Sequence, residues 1–219
     1  MPFAIITPQA SPQPDVELGA AIARVHVAGW REAYGHLLDE RFYDDAVLAT
    51  RTEQWARWLT QPESCARTRL AVRTDPSTPV SAPGLLPSTD VVGFASVGEA
   101  RDDDRTGLEL WALYILSSHY GTGLGQALLD AAIDTAPATL WVAEDNPRAR
   151  SFYARNGFTP DGTRNVDAAA DDLAEIRMTR GGQCLGRPAA VLGSSVEHAD
   201  QLTAAAPTGR RLRPCVLPL

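Results

Sequence analysis

Three glycines in the segment SHYGTGLGQALL occupy every second position, at Gly121, Gly123 and Gly125. They follow the apolar run LELWALYIL and precede the helix-like run QALLDAAI. A strand that ends in glycines and opens a helix presents several backbone N–H groups to one point, where the helix dipole adds positive potential. Glycine lets an anion approach the backbone closely. The pattern therefore predicts a site for a phosphate or pyrophosphate.

Several interpretations of these glycines are open. The dinucleotide fingerprint G-x-G-x-x-G fails, because the sixth position counted from Gly121 is Gln126. A P-loop needs a lysine, and all 20 basic residues of the chain are arginine. A G-x-G-x-G turn for the pyrophosphate of coenzyme A, another nucleotide site, and a turn without a ligand remain.

A second motif lies in WVAEDNPRARSFYARNGF, residues 141–158. It resembles the second signature of the GNAT superfamily of N-acetyltransferases, with the matching residues Asn146, Ala149, Phe152, Tyr153, Gly157 and Phe158. The glycine segment is similar to the family's first signature, [QR]-x-x-G-x-[GA], over residues 120–125, although Tyr120 departs from the usual Gln or Arg. LELWALYIL and EIRMTR look like the fourth and last strands of the family. The likeness covers roughly residues 15–180.

The resemblance implies acetyl-CoA as co-substrate and no metal. It implies that the backbone of Leu113, Tyr114 and Ile115 pairs with the pantetheine arm, and that one N–H hydrogen-bonds the thioester oxygen. The residues expected to hold the pyrophosphate are Gly121, Thr122, Gly123, Leu124, Gly125 and Gln126. Asn146 either caps the next helix, which the following proline favours, or also touches the pantetheine.

Tyr153 is the predicted general acid and a further contact of the cofactor. A phenol with an unperturbed pKa of ~10 is protonated at neutral pH and can donate to a thiolate as it forms. The alternative is an amphipathic tyrosine packed beside Phe152.

The proton acceptor has three candidates. Glu109 is predicted on one strand face with Trp111, Leu113 and Ile115, where burial would raise the pKa of its carboxyl and make it a better base. An ordinary carboxylate at a strand end is the other interpretation of Glu109. Glu144 is the second candidate, and a water chain without a single essential base is the third.

The acceptor site is expected near Trp30 and Tyr34, at the end of the first predicted helix; packing is the alternative for Trp30. The acidic run Asp102–Asp104 could attract a cation, but a solvated hairpin tip is the simpler interpretation. The four histidines lack metal-ligand spacing. His119 could meet a phosphate or face solvent.

The elements that must position these residues follow from periodicity and turn signals. Helices are predicted over 15–34 with Asp15 as a cap, around 48–59, over about 124–136, and over 146–158; strands are predicted over 67–74, 90–100, 108–116, 139–145 and 173–180. This order predicts an α/β or α+β fold with helices on both faces of the sheet. The resemblance implies a central mixed, mostly antiparallel sheet with a splayed strand edge for the cofactor.

Composition bounds the class of protein. The 219 residues suit one domain, predicted as 15–180, with an N-terminal extension (1–14) and a loosely packed or disordered tail (181–219). A net charge of −7 argues against nucleic acid and mildly favours a cationic partner. The chain has three scattered cysteines, no apolar run of ~20 residues and no signal pattern, which predicts a cytoplasmic protein without a membrane span. We expect a monomer or a homodimer.

The sequence thus predicts an acetyl-CoA-dependent N-acetyltransferase that acts directly on a primary amine of a small molecule or peptide. A catalytically silent acyl-CoA-binding or regulatory module of the same fold is the alternative.

Overall fold

One mixed sheet organises the computed structural model, which describes residues 3–74 and 91–181. Its strands are β1 (Phe3–Ile6), β2 (Thr68–Arg73), β3 (Val91–Glu99), β4 (Leu108–Ile115), β5 (Ala138–Ala143), β6 (Thr159–Asp167) and β7 (Leu173–Arg180). The α-helices are α1 (Val16–Tyr34), α2 (Asp45–Trp58), α3 (Pro62–Ala66), α4 (Leu124–Ile133) and α5 (Pro147–Arg155). Short 3₁₀ turns occupy Glu40–Phe42, Ser117–His119 and Ala168–Ala170.

The strand order is β1-β2-β3-β4-β5-β7-β6. Neighbouring strands run antiparallel except β4 and β5, which are parallel. The helical connection through α4 makes this parallel pairing possible, because parallel strands need a long crossover. The predicted mixed, mostly antiparallel sheet is confirmed.

Helices cover both faces of the sheet, and each face has its own core cluster. The first core cluster joins α1 and α2 to the sheet through residues that include Ile22, Trp55, Phe94 and Tyr114. The second core cluster joins α4 and α5 to the opposite face, and its members include Leu113, Ile115, Leu128, Leu140 and Tyr153. Successive residues of a strand, such as Leu113 and Tyr114 in β4 or Val142 and Ala143 in β5, therefore enter different clusters, as the two-residue period of a strand requires.

Side chains fix where three helices begin. Asp15 Oδ1 accepts a hydrogen bond from the Leu18 N–H at 2.9 Å, which confirms the predicted cap of α1. Asp44 caps α2 in the same way through the Val47 N–H. Asn146 caps α5, and Pro147 fills the first helical position, where a missing N–H costs nothing.

Two edge strands were not predicted. Phe3–Ile6 was expected in an N-terminal extension, yet it pairs with Leu70–Arg73 as β1. β6 has the sequence TPDGTRNVD, in which Pro, Asp and Gly disfavour strands, and it forms because β7 supplies the partner edge. Local pattern failed at both because tertiary pairing decides these segments.

The acidic hairpin tip is held by a buried arginine, although part of it remains exposed. Arg177 on β7 is buried, and its guanidinium bonds Asp102, Asp104 and Asp161 at 2.7–3.0 Å. Asp102 also accepts a hydrogen bond from the Trp141 indole at 2.9 Å. The prediction of a solvated tip holds for Asp103 and Asp104, which are exposed, but not for Asp102, which packs against the buried cation.

Within residues 3–74 and 91–181, no helix combines the length and apolar character needed to cross a bilayer. Residues 75–89, DPSTPVSAPGLLPST, are rich in Pro, Ser and Thr, which predicts a surface loop. This segment and nearly all of the predicted tail, from residue 182 onward, lie outside the described residues.

Candidate active site

The sheet opens between β4 and β5. Their pairing covers three residue pairs and ends at Leu110 with Leu140. Beyond that point β4 continues to Ile115 along β3, while β5 follows β7 to Ala143. The two strands therefore diverge, and the β4 edge over Leu113–Ile115 faces the opening. This is the splayed edge expected for the pantetheine arm.

The glycine turn follows directly after β4. Gly121 and Gly123 have φ angles of 73° and 85°, a region that glycine enters without steric cost. A Cβ built at either glycine would meet no heavy atom within 4 Å, so both face open space. Gly123 is the N-cap of α4 and provides no side-chain cap, which leaves the N–H groups of the first turn available. The turn thus fits an anion such as a pyrophosphate.

Asn146 adds a hydrogen-bond donor at the opposite strand. Its Oδ1 accepts from the Ala149 N–H at 3.0 Å, so the predicted cap is present. Its Nδ2 is buried and has no acceptor among the residues that the structure describes. Buried polar atoms are normally satisfied, so this amide fits a ligand carbonyl such as those of pantetheine. The cap and the ligand contact are compatible because they use different atoms.

Tyr153 lies on the buried face of α5. Its ring packs against Phe152 and Phe158, with centroids at 5.2 and 5.8 Å. It belongs to the second core cluster together with Leu113 and Ile115, the apolar side chains of the diverging part of β4. α5 therefore brings the phenol into the same core layer as the splayed edge.

A groove of about 500 Å³ lies at this open end. α1 contributes Glu32 and Ala33, and His36 follows the end of α1. The segment after β4 contributes Ser117 and Tyr120, and residues 145–148 complete the lining. His36 Nε2 and Asp145 Oδ2 approach to 3.8 Å across the groove. The groove gives solvent-connected space beside Asn146.

Tyr120 links the two sides of the groove. Its hydroxyl donates to Glu32 at 2.8 Å, and the Ser117 hydroxyl donates to the same carboxylate. The Arg148 guanidinium carbon lies 3.4 Å from the centroid of the Tyr120 ring. Burial, followed by the Glu32 hydrogen bond, raises the pKa of Tyr120 well above its usual value, so the phenol stays protonated. Sequence reasoning missed Glu32 and Arg148, since neither belongs to a matched motif position.

The structure separates Glu109 from the opening. β4 has a bulge at Trp111, because Leu110 and Ala112 pair with successive residues of β3. Leu110, Leu113 and Ile115 therefore share the second core cluster. Glu109 alternates with Leu110 and points to the other face, so the predicted common face with Leu113 and Ile115 is wrong. Its carboxylate is buried and is held by the side chain and backbone N–H of Arg101.

The other predicted residues have plain structural contacts. Glu144 is half exposed and bonds Arg164 at 2.7 Å. Trp30 and Tyr34 belong to the first core cluster, and the Trp30 indole donates to the Tyr114 hydroxyl at 2.9 Å. His119 is buried rather than solvent-facing, and burial followed by Arg73 lowers the pKa of its imidazole.

Gln126 extends the glycine turn toward α5. Its side-chain amide donates to Asp130 and to Asn156, at 2.7 and 2.8 Å. Thr122 donates its hydroxyl to the His119 carbonyl at 2.7 Å, which closes the turn. In the described part of the chain, no three His, Cys, Asp or Glu side chains gather as metal ligands would.

Comparisons with known proteins agree with this geometry. Residues 30–158 match the family model described as acetyltransferase (GNAT) family. An uncharacterized N-acetyltransferase of Mycobacterium bovis is 36% identical over 96 residues, which are 41% of this chain and 60% of that protein. A probable N-acetyltransferase of Mycobacterium tuberculosis is 26% identical over 145 residues, which are 64% of this chain and 74% of that protein. The matched region thus spans 60% of the length of the first relative.

Solved structures show the same fold. The PaiA N-acetyltransferase from Thermoplasma acidophilum, solved in complex with coenzyme A, superposes with a TM-score of 0.56 at 16% identity. The match covers 82% of this chain and 99% of that one. Because the family model covers more than half of the residues and the sheet opens where its signatures lie, this chain belongs to the acetyltransferase (GNAT) family.

Proposed function

We propose that the protein is an N-acetyltransferase that uses acetyl-CoA and transfers the acetyl group directly to a primary amine of a small molecule or peptide. The observation that carries the proposal is the glycine turn at the uncapped N-terminus of α4, directly after the diverging edge of β4. Family membership and the neighbour solved with coenzyme A support the same donor.

The donor would be bound mainly by backbone. N–H groups of residues 121–126 bind the pyrophosphate, and the β4 edge over Leu113–Ile115 hydrogen-bonds the pantetheine as a neighbouring strand would. The buried Nδ2 of Asn146 donates to a pantetheine carbonyl. This binding places the thioester in the opening between β4 and β5.

The reaction then needs two proton transfers. The neutral amine attacks the thioester carbonyl carbon, an N–C bond forms, and the C–S bond breaks. Tyr153 donates its phenolic proton to the departing thiolate, which leaves as the free thiol of CoA. Before attack, the substrate ammonium loses one proton to solvent. As the amide forms, the nitrogen loses a second proton to solvent, and Tyr153 is reprotonated from solvent, so the proton given to sulfur is replaced.

For the proton acceptor, the contacts favour the water-mediated route over Glu109. Glu109 is occupied by Arg101 at the closed end of β4, and Glu144 is paired with Arg164. The groove beside Asn146 instead is open to solvent and is lined by the carboxylate of Glu32. Glu32 accepts hydrogen bonds from the hydroxyls of Ser117 and Tyr120, which hold its carboxylate at the groove.

The first test replaces Tyr153 by Phe and measures thiol release from acetyl-CoA across a panel of amines. Loss of a general acid lowers kcat by about 10²- to 10⁴-fold, while the Kd for acetyl-CoA changes little. Tyr43→Phe is the matched control, because the Tyr43 hydroxyl donates to the Leu38 carbonyl and Tyr43 is no part of the proposed donor site.

Full turnover by Tyr153→Phe would remove this residue from the mechanism. If the unaltered protein binds acetyl-CoA tightly but releases no thiol with any amine, the silent acyl-CoA-binding module becomes the better description.

A further inference from the structure

Arg148 contacts an aromatic ring, whereas the neighbouring arginines contact oxygen atoms. Arg150 donates to the Glu144 carbonyl, and Arg164 bonds the Glu144 carboxylate. Arg148 is exposed on the first turn of α5, with its guanidinium carbon 3.4 Å from the centroid of the Tyr120 ring. Stacking of this kind holds a guanidinium in place while its N–H groups still point outward in the ring plane.

The position of the stack points to a ligand. Tyr120 immediately precedes Gly121, so the cation lies next to the glycine turn, where a Cβ at Gly121 or Gly123 would meet only open space. Residues 117–126 include no Arg or Lys, and burial keeps His119 from charging readily. Backbone dipoles alone supply partial charges, whereas a pyrophosphate carries full negative charges that a guanidinium can bind bidentately.

We propose that Arg148, held by Tyr120, is the cation that binds the pyrophosphate of the coenzyme. This inference rests on the proposed function, since it concerns the same donor site. Tyr120 is a positioning residue: its ring carries the guanidinium, and its hydroxyl is anchored to Glu32 on α1. Arg148 on α5 thereby supplies the positive charge that the neutral side chain of Tyr120 lacks.

The test is calorimetric titration of acetyl-CoA into Arg148→Gln and into the matched control Arg57→Gln. Arg57 is an exposed arginine on α2, so the control makes the same change in charge on another helix. We expect the Kd to rise about tenfold or more for Arg148→Gln and less than about twofold for Arg57→Gln. Raising the salt concentration should narrow the difference between Arg148→Gln and the unaltered protein.

Two shortened ligands identify the group that Arg148 binds. Acetyl-dephospho-CoA lacks the 3′-phosphate but keeps the pyrophosphate, so the loss of affinity should persist in full. Acetyl-pantetheine lacks both, so Arg148→Gln and the unaltered protein should bind it equally. A loss that disappears with acetyl-dephospho-CoA would assign Arg148 to the 3′-phosphate and overturn the proposal.

Variants of Tyr120 test the positioning role. Tyr120→Leu removes the stack and should raise the Kd as Arg148→Gln does, and the double variant should be no weaker than either single one. Tyr120→Phe keeps the ring and should retain most of the affinity. Additive losses in the double variant would contradict the positioning role.

The possible failures are distinct. Tight binding of acetyl-CoA with no effect of Arg148→Gln would overturn this inference alone. No binding of acetyl-CoA to the unaltered protein would overturn the proposed function and the inference together. Circular dichroism and thermal unfolding of each variant verify that it is folded before its Kd is compared.

Discussion

His26 lies on α1 against the rings of Phe94 and Tyr114, with centroids at 5.6 and 4.7 Å. Its side chain is buried, and neither ring nitrogen has a hydrogen-bond partner among the described residues. Burial, followed by the positive charge of Arg51, holds the pKa of His26 well below its usual value. The folded protein therefore keeps this imidazole neutral.

This burial predicts a loss of stability in mild acid. The unfolded chain binds a proton at His26 below about pH 6.5, whereas the folded chain does not until a lower pH. The free energy of unfolding is thus unaffected by His26 above about pH 6.5. Below that pH, His26 lowers it by up to about 1.4 kcal/mol for each pH unit. Urea unfolding of His26→Leu between pH 7.5 and 5.5 should show a shallower dependence. Equal slopes for both proteins would contradict the prediction.

Glu109 gives a prediction that separates a structural role from a catalytic one. Glu109→Gln removes the buried negative charge that pairs with Arg101, but it keeps one side-chain oxygen as a hydrogen-bond acceptor. We expect the free energy of unfolding to fall by about 1–3 kcal/mol, while kcat and the shape of its pH profile are retained. A variant of normal stability that has lost most of its activity would restore Glu109 as the base.

At the scale of elements, Arg177 joins the β3–β4 hairpin to β6 and β7. Two of its three carboxylate partners, Asp102 and Asp161, have side chains less than 10% exposed. Removing the cation takes an ion pair from each of these poorly solvated carboxylates, although Asp161 keeps its bond to Arg105.

Arg177→Met should therefore lower the free energy of unfolding by about 3 kcal/mol, as measured by urea unfolding. Arg164→Met provides the control, because its ion pair with Glu144 is exposed and contributes less than about 1 kcal/mol. Similar losses in the two variants would show that the Arg177 cluster is only a set of surface pairs.

The sequence could predict the elements whose order is written in local pattern. The glycines and the Asn146–Phe158 motif are short-range signals, so α4, α5 and the end of β4 were expected where they occur. The bulge at Trp111 and the strand β6 depend on how neighbouring strands pair, which no local period encodes. The contact of Glu32 with Tyr120 spans 88 positions, so only the packing of α1 against the sheet could show it.

At the scale of the whole molecule, only three residue pairs join β4 to β5. A ligand that hydrogen-bonds the β4 edge, the α4 N-terminus and Asn146 would connect the two parts of the sheet. Its binding energy adds to the stability of the folded state by mass action.

Acetyl-CoA at about 100 times its Kd should stabilise the fold by about 2.7 kcal/mol and raise the Tm by roughly 5–10 °C. NAD and ATP at the same concentration should raise the Tm much less. A larger shift with either nucleotide than with acetyl-CoA would favour the nucleotide-binding interpretation of the glycines.

The two outer strands of the sheet differ sharply in chemistry. β1 carries FAII, whereas β6 contains Pro160, Asp161 and Arg164. An apolar outer strand is a template for pairing with another chain, while proline and charges oppose such pairing. In concentrated samples, we expect self-association to start at β1. A charged peptide fused ahead of Phe3 should therefore raise solubility more than the same peptide placed after β7.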